Sequence, residues 1–251
     1  MWGALAGQTP GAVWIERDRP AAPALGDAFR EAVLRRAAGA PSAYATGRAA
    51  FRTLELAVDR RALIPRPETE GLVELVLRWA AETPGGVAAD IGTGTGCIAL
   101  ALAIEGRFER VIATDCSGEA AALARENVAR VRPGVPVEVR VGHLLAPIAA
   151  ERCRVIVANP PYLTEAEWAA LDPAVREFEP KPALASGPDG LVATRALLYE
   201  ARTMLEPGGL LAIEIDARRP AAVQTLARDA GWSHVTIHQD LFGRPRYALA
   251  V

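Results

Sequence analysis

From Val87 onward, short apolar runs rich in β-branched residues alternate with longer stretches of helical periodicity, and this alternation limits the fold more than any other feature of the chain. Strands are predicted at 87–91, 110–114, 136–141, 154–158, 209–215, 233–238 and 245–251, with helices at 97–105, 118–130, 191–205 and 219–230. A strand that feeds a crossover helix and then another strand closes as a parallel pair, with the helix laid on one face of the sheet. The expectation is an α/β fold with a mostly parallel sheet, covered on both faces, whose ligands sit at the strand C-terminal ends. Asp90, Asp115, His143 and Asn159 all fall at such ends. Packing alone does not call for four polar side chains on one rim.

The run Val87-Ala88-Ala89-Asp90-Ile91 breaks into Gly92-Thr93-Gly94-Thr95-Gly96 before the apolar helical stretch from Cys97 to Ile104. Glycines at alternate positions allow a tight turn and let a ligand approach the helix N-terminus, where unpaired N–H groups point outward. The spacing is G-x-G-x-G, whereas the dinucleotide fingerprint is G-x-G-x-x-G. The next strand ends in Asp115, about twenty residues on, where an acid can take two ribose hydroxyls. Together these residues predict a nucleoside-type cofactor. Asp90 reads either as a contact to that cofactor or as a cap on the following turn.

The apolar run Val155-Ile156-Val157-Ala158 delivers Asn159-Pro160-Pro161-Tyr162 at its end. Each proline fixes its own φ and removes an N–H, so the carbonyls of Asn159 and Pro160 can be presented without a competing donor beside them. The Asn159 amide oxygen adds an acceptor, and Tyr162 offers a flat ring. A planar group with two N–H donors, such as an amide or a base amine, satisfies all three elements; a hydroxyl or thiol does not. Read in isolation, Asn159 is equally a strand-end turn former.

With 251 residues, 51% of them hydrophobic, the chain can bury one main core with a small appendage. A net charge of −2 gives no global attraction to nucleic acid, and no run of basic residues marks a local patch. Nothing resembles a leader peptide or a membrane span, so the expectation is a cytoplasmic protein; a monomer is expected as well. Cys97, Cys116 and Cys153 form no C-x-x-C pair and are expected to be buried small hydrophobes. His143, His234 and His238 have no metal-binding spacing, so no metal is expected.

Ahead of the alternating region, helical spacing in Leu25, Phe29, Val33 and Leu34 predicts one or two N-terminal helices, with a break over Pro41–Gly47. Residues 50–52 and 54–58 read as a β-hairpin, and Glu68–Ala81 as a helix. The organisation is thus a short helical segment (1–47), a hairpin linker (48–67) and the main domain (68–251).

The stretch Leu63-Ile64-Pro65-Arg66-Pro67-Glu68-Thr69-Glu70, the run Asp90–Gly96, the tetrad Asn159–Tyr162, and Glu179-Pro180 followed by Ala183-Leu184 resemble the protein-(glutamine-N5) methyltransferases that modify peptide-chain release factors, the HemK/PrmC family. The match runs from about residue 41 to the C-terminus. The tetrad by itself is shared with methyltransferases of base amino groups, whereas the Pro-Arg-Pro-Glu-Thr-Glu stretch is more specific. The resemblance implies a class I, Rossmann-like fold of seven strands, the last antiparallel, which binds S-adenosylmethionine. Gly92, Thr93, Gly94, Thr95 and Gly96 would face its methionine and ribose, Asp115 its ribose, and His143 and Leu144 its adenine. Asp90 joins this cofactor set, and Asn159 stands between cofactor and substrate. Arg66 and Glu179 are candidate substrate contacts, with Pro160, Pro161 and Tyr162; Arg66 and Glu70 read equally as an ordinary ion pair, and Glu179 as structural.

Three departures stand out. The family usually has an acidic residue where this chain has His143, and a glycine where it has Asp216. Its N-terminal helical bundle, which grips the release factor, is shortened here. The implied reaction methylates the side-chain amide of the glutamine in a release factor's Gly-Gly-Gln loop, in translation termination. An alternative is methylation of an exocyclic amine of an RNA or DNA base, against which the modest charge and few aromatic residues count.

Overall fold

The computed structural model describes residues 1–251, the side chain of Pro10 excepted. Seven strands form the main sheet: β3 (Val87–Ile91), β4 (Arg110–Asp115), β5 (Val137–Val141), β6 (Cys153–Ala158), β7 (Leu205–Glu214), β8 (Val235–Gln239) and β9 (Pro245–Ala250), after a hairpin of β1 (Arg48–Phe51) and β2 (Leu54–Ala57). The sheet order is β5-β4-β3-β6-β7-β9-β8. Strands β3 to β7 run parallel, and β9 inserts antiparallel between β7 and β8. The order reverses between β3 and β6, the place where open α/β sheets leave a crevice beyond their strand ends.

Helices 67–81 and 97–105 pack on one face and 192–200 and 220–229 on the other, giving two apolar layers. Cys97–Ala103 are all buried, which explains why that helix is apolar around its whole circumference. The helix expected over 191–205 ends earlier: Val192–Glu200 passes through a 3-10 turn, and β7 starts at Leu205. Pro207-Gly208-Gly209 cannot extend a helix, and β7 instead pairs with β6 across a register shift.

The N-terminal region holds four helices rather than one or two: the short Trp2–Ala6, Pro10–Ile15 and Ser42–Thr46, and the longer Pro23–Ala37. The last lies where a break was expected, because Tyr44 and Ala45 have a core to enter. Tyr44 is buried and its hydroxyl donates to the Ala62 carbonyl at 2.6 Å, tethering this region to the strap 60–66. The hairpin turn is fixed differently. Arg52 takes a left-handed conformation (φ 51°), while its guanidinium bonds Glu74 and Glu105 on the two helices beneath. No helix is long and apolar enough to cross a membrane among the described residues.

Candidate active site

Beyond the ends of β3, β4 and β6 lies a cavity of about 690 Å³. The glycine turn and Asp115 form its floor; the strap 60–66 and the segments 182–187 and 192–197 close over it. Gly92, Gly94 and Gly96 have φ of 74°, 56° and 83°, a region costly for any other residue, so the turn requires glycine at each. A Cβ at Gly92 would point into open space, so the backbone there forms a cradle that a ligand can enter. Asp115 accepts the N–H groups of Gly94 (2.9 Å) and Ser117 (2.9 Å), fixing its carboxylate at the cavity edge with lone pairs to spare.

Of the residues singled out from the sequence, Arg66, Gly92, Thr93, Gly94, Thr95, Asp115, His143, Leu144, Asn159, Pro160 and Pro161 line this one cavity. Leu144 does so with φ 44°, a strained state for a leucine. Four others lie behind the wall. Gly96 caps the helix and packs toward Ala124. Asp90 is fully buried beneath the turn; Oδ2 accepts from the Thr93 hydroxyl (2.6 Å) and the Ala99 N–H (3.0 Å), and Oδ1 has no partner. Burial raises its pKa to about 7. Of its two sequence readings, the cap describes its contacts.

Glu179 is also buried and binds Arg66 at 2.6 Å and the Ile64 N–H at 3.3 Å, so it holds the strap instead of facing the cavity. Arg66 therefore pairs with Glu179 and not with Glu70, whose carboxylate accepts the Arg52 N–H. Tyr162 is half-buried outside the lining, and its hydroxyl is pushed up to about 12 by burial and by the nearby Glu214. The backbone after it bonds the Leu184 carbonyl through the N–H groups of Tyr162 and Leu163. Asp216, at the position usually glycine, pairs with Arg218 and Arg219. Arg219 also grips Glu167, so the end of β7 is clamped to the chain leaving the tetrad.

Asn159 is set by residues that sequence reasoning did not select. Its Nδ2 donates to Thr69 Oγ1 at 3.0 Å, and the Thr69 hydroxyl donates to Glu214 Oε2 at 2.7 Å. Thr69 and Glu214 are both buried, and burial raises Glu214 to about 7. Among the described residues no donor is directed at Asn159 Oδ1 or the Pro160 carbonyl, so two acceptors on residues that line the cavity are unclaimed by the protein. Ser186, Val192 and Ala196 also line the cavity, none of them singled out from the sequence; the turn-rich Ser186-Gly187-Pro188-Asp189-Gly190 is the signal that could have marked them, beside the Pro180 and Ala183 of the quoted motif. Cys97 lines the cavity, and burial pushes its thiol up to about 12; Cys153 is buried, whereas Cys116 is exposed, contrary to expectation. No cluster of His, Cys, Asp or Glu that could hold a metal occurs among the described residues.

The parallel order with β9 inserted antiparallel, and a glycine turn at the switch point, define a class I methyltransferase. Residues 72–178 match the methyltransferase small domain. Similar folds include a methyltransferase from Pyrococcus furiosus (TM-score 0.60, 21% identity, 88% of this chain and 96% of that one) and the hMettl16 catalytic domain (TM-score 0.62, 19% identity, 78% and 74%). The release factor glutamine methyltransferase of Moorella thermoacetica is 43% identical over 91% of this chain and 81% of its own length, and that of Cereibacter sphaeroides 41% identical over 96% and 85%. The chain belongs to the release factor glutamine methyltransferase family.

Proposed function

We propose that the protein transfers a methyl group from S-adenosylmethionine to the side-chain amide nitrogen of a glutamine, in the Gly-Gly-Gln loop of a peptide-chain release factor. The observation that carries this reading is the pair of unclaimed acceptors, Asn159 Oδ1 and the Pro160 carbonyl, at the wall of a cavity floored by a nucleoside-type glycine turn. When bound, S-adenosylmethionine supplies an electrophilic sulfonium methyl. The residues fit that molecule: the cradle at Gly92 admits its backbone-sized end, Asp115 keeps lone pairs for a ribose diol, and Leu144 gives an apolar wall for a base. His143 stands at the exposed rim of the same end.

An amide nitrogen is a poor nucleophile because its lone pair is delocalised. The two acceptors take its two N–H groups and fix its approach, and they stabilise the positive charge that grows on nitrogen as the bond forms. The proton then leaves to water, since an N-alkylated amide cation is strongly acidic; no general base is needed. Labelled methyl transfer to purified release factor, beside a variant lacking the loop glutamine and with RNA and DNA as competitors, tests the proposal. Label that disappears with the glutamine is the expected result. Label on nucleic acid would instead install the base-amine alternative.

A further inference from the structure

The Asn159 side chain has two chemically opposite ends, and only one of them serves the reaction. Its oxygen accepts the substrate N–H; its nitrogen, turned the same way, would present donors to donors and repel the substrate. The turn around Cβ–Cγ that exchanges the ends needs no change of shape. Something must therefore choose between them. Thr69 has one hydroxyl proton and gives it to Glu214, so its oxygen is left to accept, and the neighbour that can donate is the Asn159 NH2.

We infer that Glu214 and Thr69 are positioning residues, forming a buried hydrogen-bond relay that locks the Asn159 amide with its oxygen toward the methyl-accepting nitrogen and couples that oxygen to the Glu214 charge. The inference rests on the function proposed above. Asn159 comes from the end of β6, Thr69 from the first turn of helix 67–81, and Glu214 from the end of β7, so the relay joins three elements at the rim. Chained hydrogen bonds polarise one another: an amide that donates through nitrogen becomes a better acceptor at oxygen. Positive charge growing on the substrate nitrogen is thereby answered by a carboxylate that never touches it. Glu214 is faced by Arg246 of β9, by Arg66 and Glu68 before and within the helix start, and by Tyr162 and Tyr247. Loss of its charge below about pH 7 removes the polarisation, so turnover should fall there.

The test compares wild type with Thr69→Val, Thr69→Ser and Glu214→Gln, measuring kcat and KM on a release factor and the binding of S-adenosylmethionine by each. Thr69→Val is expected to lower kcat about tenfold or more with donor affinity nearly unchanged, and Thr69→Ser to restore it to within about threefold. Glu214→Gln keeps an acceptor oxygen but no charge, so its kcat should be several-fold lower and should not decline below about pH 7 as wild type does. A Thr69→Val enzyme with wild-type kcat overturns the relay. Nuclear magnetic resonance of 15N-asparagine-labelled protein provides a readout independent of turnover. The Asn159 side-chain NH2 signal should show one proton shifted downfield in wild type and Thr69→Ser, and not in Thr69→Val. If wild type fails to methylate the release factor, the proposed function fails; an Asn159 signal indifferent to Thr69→Val sinks the relay by itself.

Discussion

Asn159 shows what a single side chain contributes when its surroundings decide its orientation. Replacing it by alanine removes one of the two acceptors proposed to serve the transition state and leaves the glycine turn untouched. Turnover should drop about 100-fold or more while S-adenosylmethionine affinity stays within about threefold, as measured by single-turnover kinetics and titration calorimetry. An equal loss of both would show that Asn159 serves mainly to bind the donor. That Asn159 and Pro160 carry acceptors unclaimed by the protein was legible, because prolines flanking a strand end say directly which backbone groups lack donors. Thr69 was visible in its motif, yet its role was not, since its hydroxyl meets a carboxylate 145 positions away. Tyr162 shows a related limit: its type promises a flat contact, and only the path of the chain after Pro161 shows that it stands outside the cavity lining.

At the scale of elements, Asp90 joins β3, the glycine turn and helix 97–105 by accepting from Thr93 and Ala99 at once. Loss of that oxygen in Asp90→Ala would leave two buried donors unsatisfied, for a destabilisation of about 2–4 kcal/mol by urea unfolding. The pH dependence has a definite sign. Burial raises Asp90 from 3.8 to about 7 in the folded chain, so folding takes up a proton between those values, and this group's contribution to stability is lost as pH rises through them. Asp90→Asn removes that titration. Its stability relative to wild type should therefore rise from about pH 4 to pH 7 and then level off; a constant difference would show that Asp90 is not the group titrating. Element identity was largely readable here because period and glycine punctuation agree. The helix Ser42–Thr46 was hidden for the opposite reason: a proline and a glycine bracket it, and only the buried pocket for Tyr44 makes five residues worth winding.

The molecule as a whole places its chemistry where the strand order reverses between β3 and β6; the alternation of strands and helices put it at strand C-terminal ends, whereas the order of the strands is seen only in the fold. What it did not carry is closure. The strap 60–66, held by Tyr44 on one side and Glu179 on the other, and the wall 182–197 come from parts of the chain whose local pattern is neutral. A ligand enclosed by segments so far apart in sequence binds the folded chain and not the unfolded one. At a concentration 100 times its dissociation constant, S-adenosylmethionine should add about 2.7 kcal/mol to the unfolding free energy, seen as a raised midpoint in thermal unfolding. No rise at saturation would mean that the cavity does not take it.

One wall of that cavity has a consequence for the enzyme's own survival. Cys97 faces the space where a methylating agent would lie, and a thiolate is a far better nucleophile than any amide nitrogen. Burial pushes this thiol up to about 12, so the thiolate is scarce at neutral pH and the sulfur is kept chemically quiet. Intact-mass spectrometry after prolonged incubation with S-adenosylmethionine should accordingly find the protein without an added methyl on Cys97; its appearance there would mean that the burial of this sulfur does not protect it.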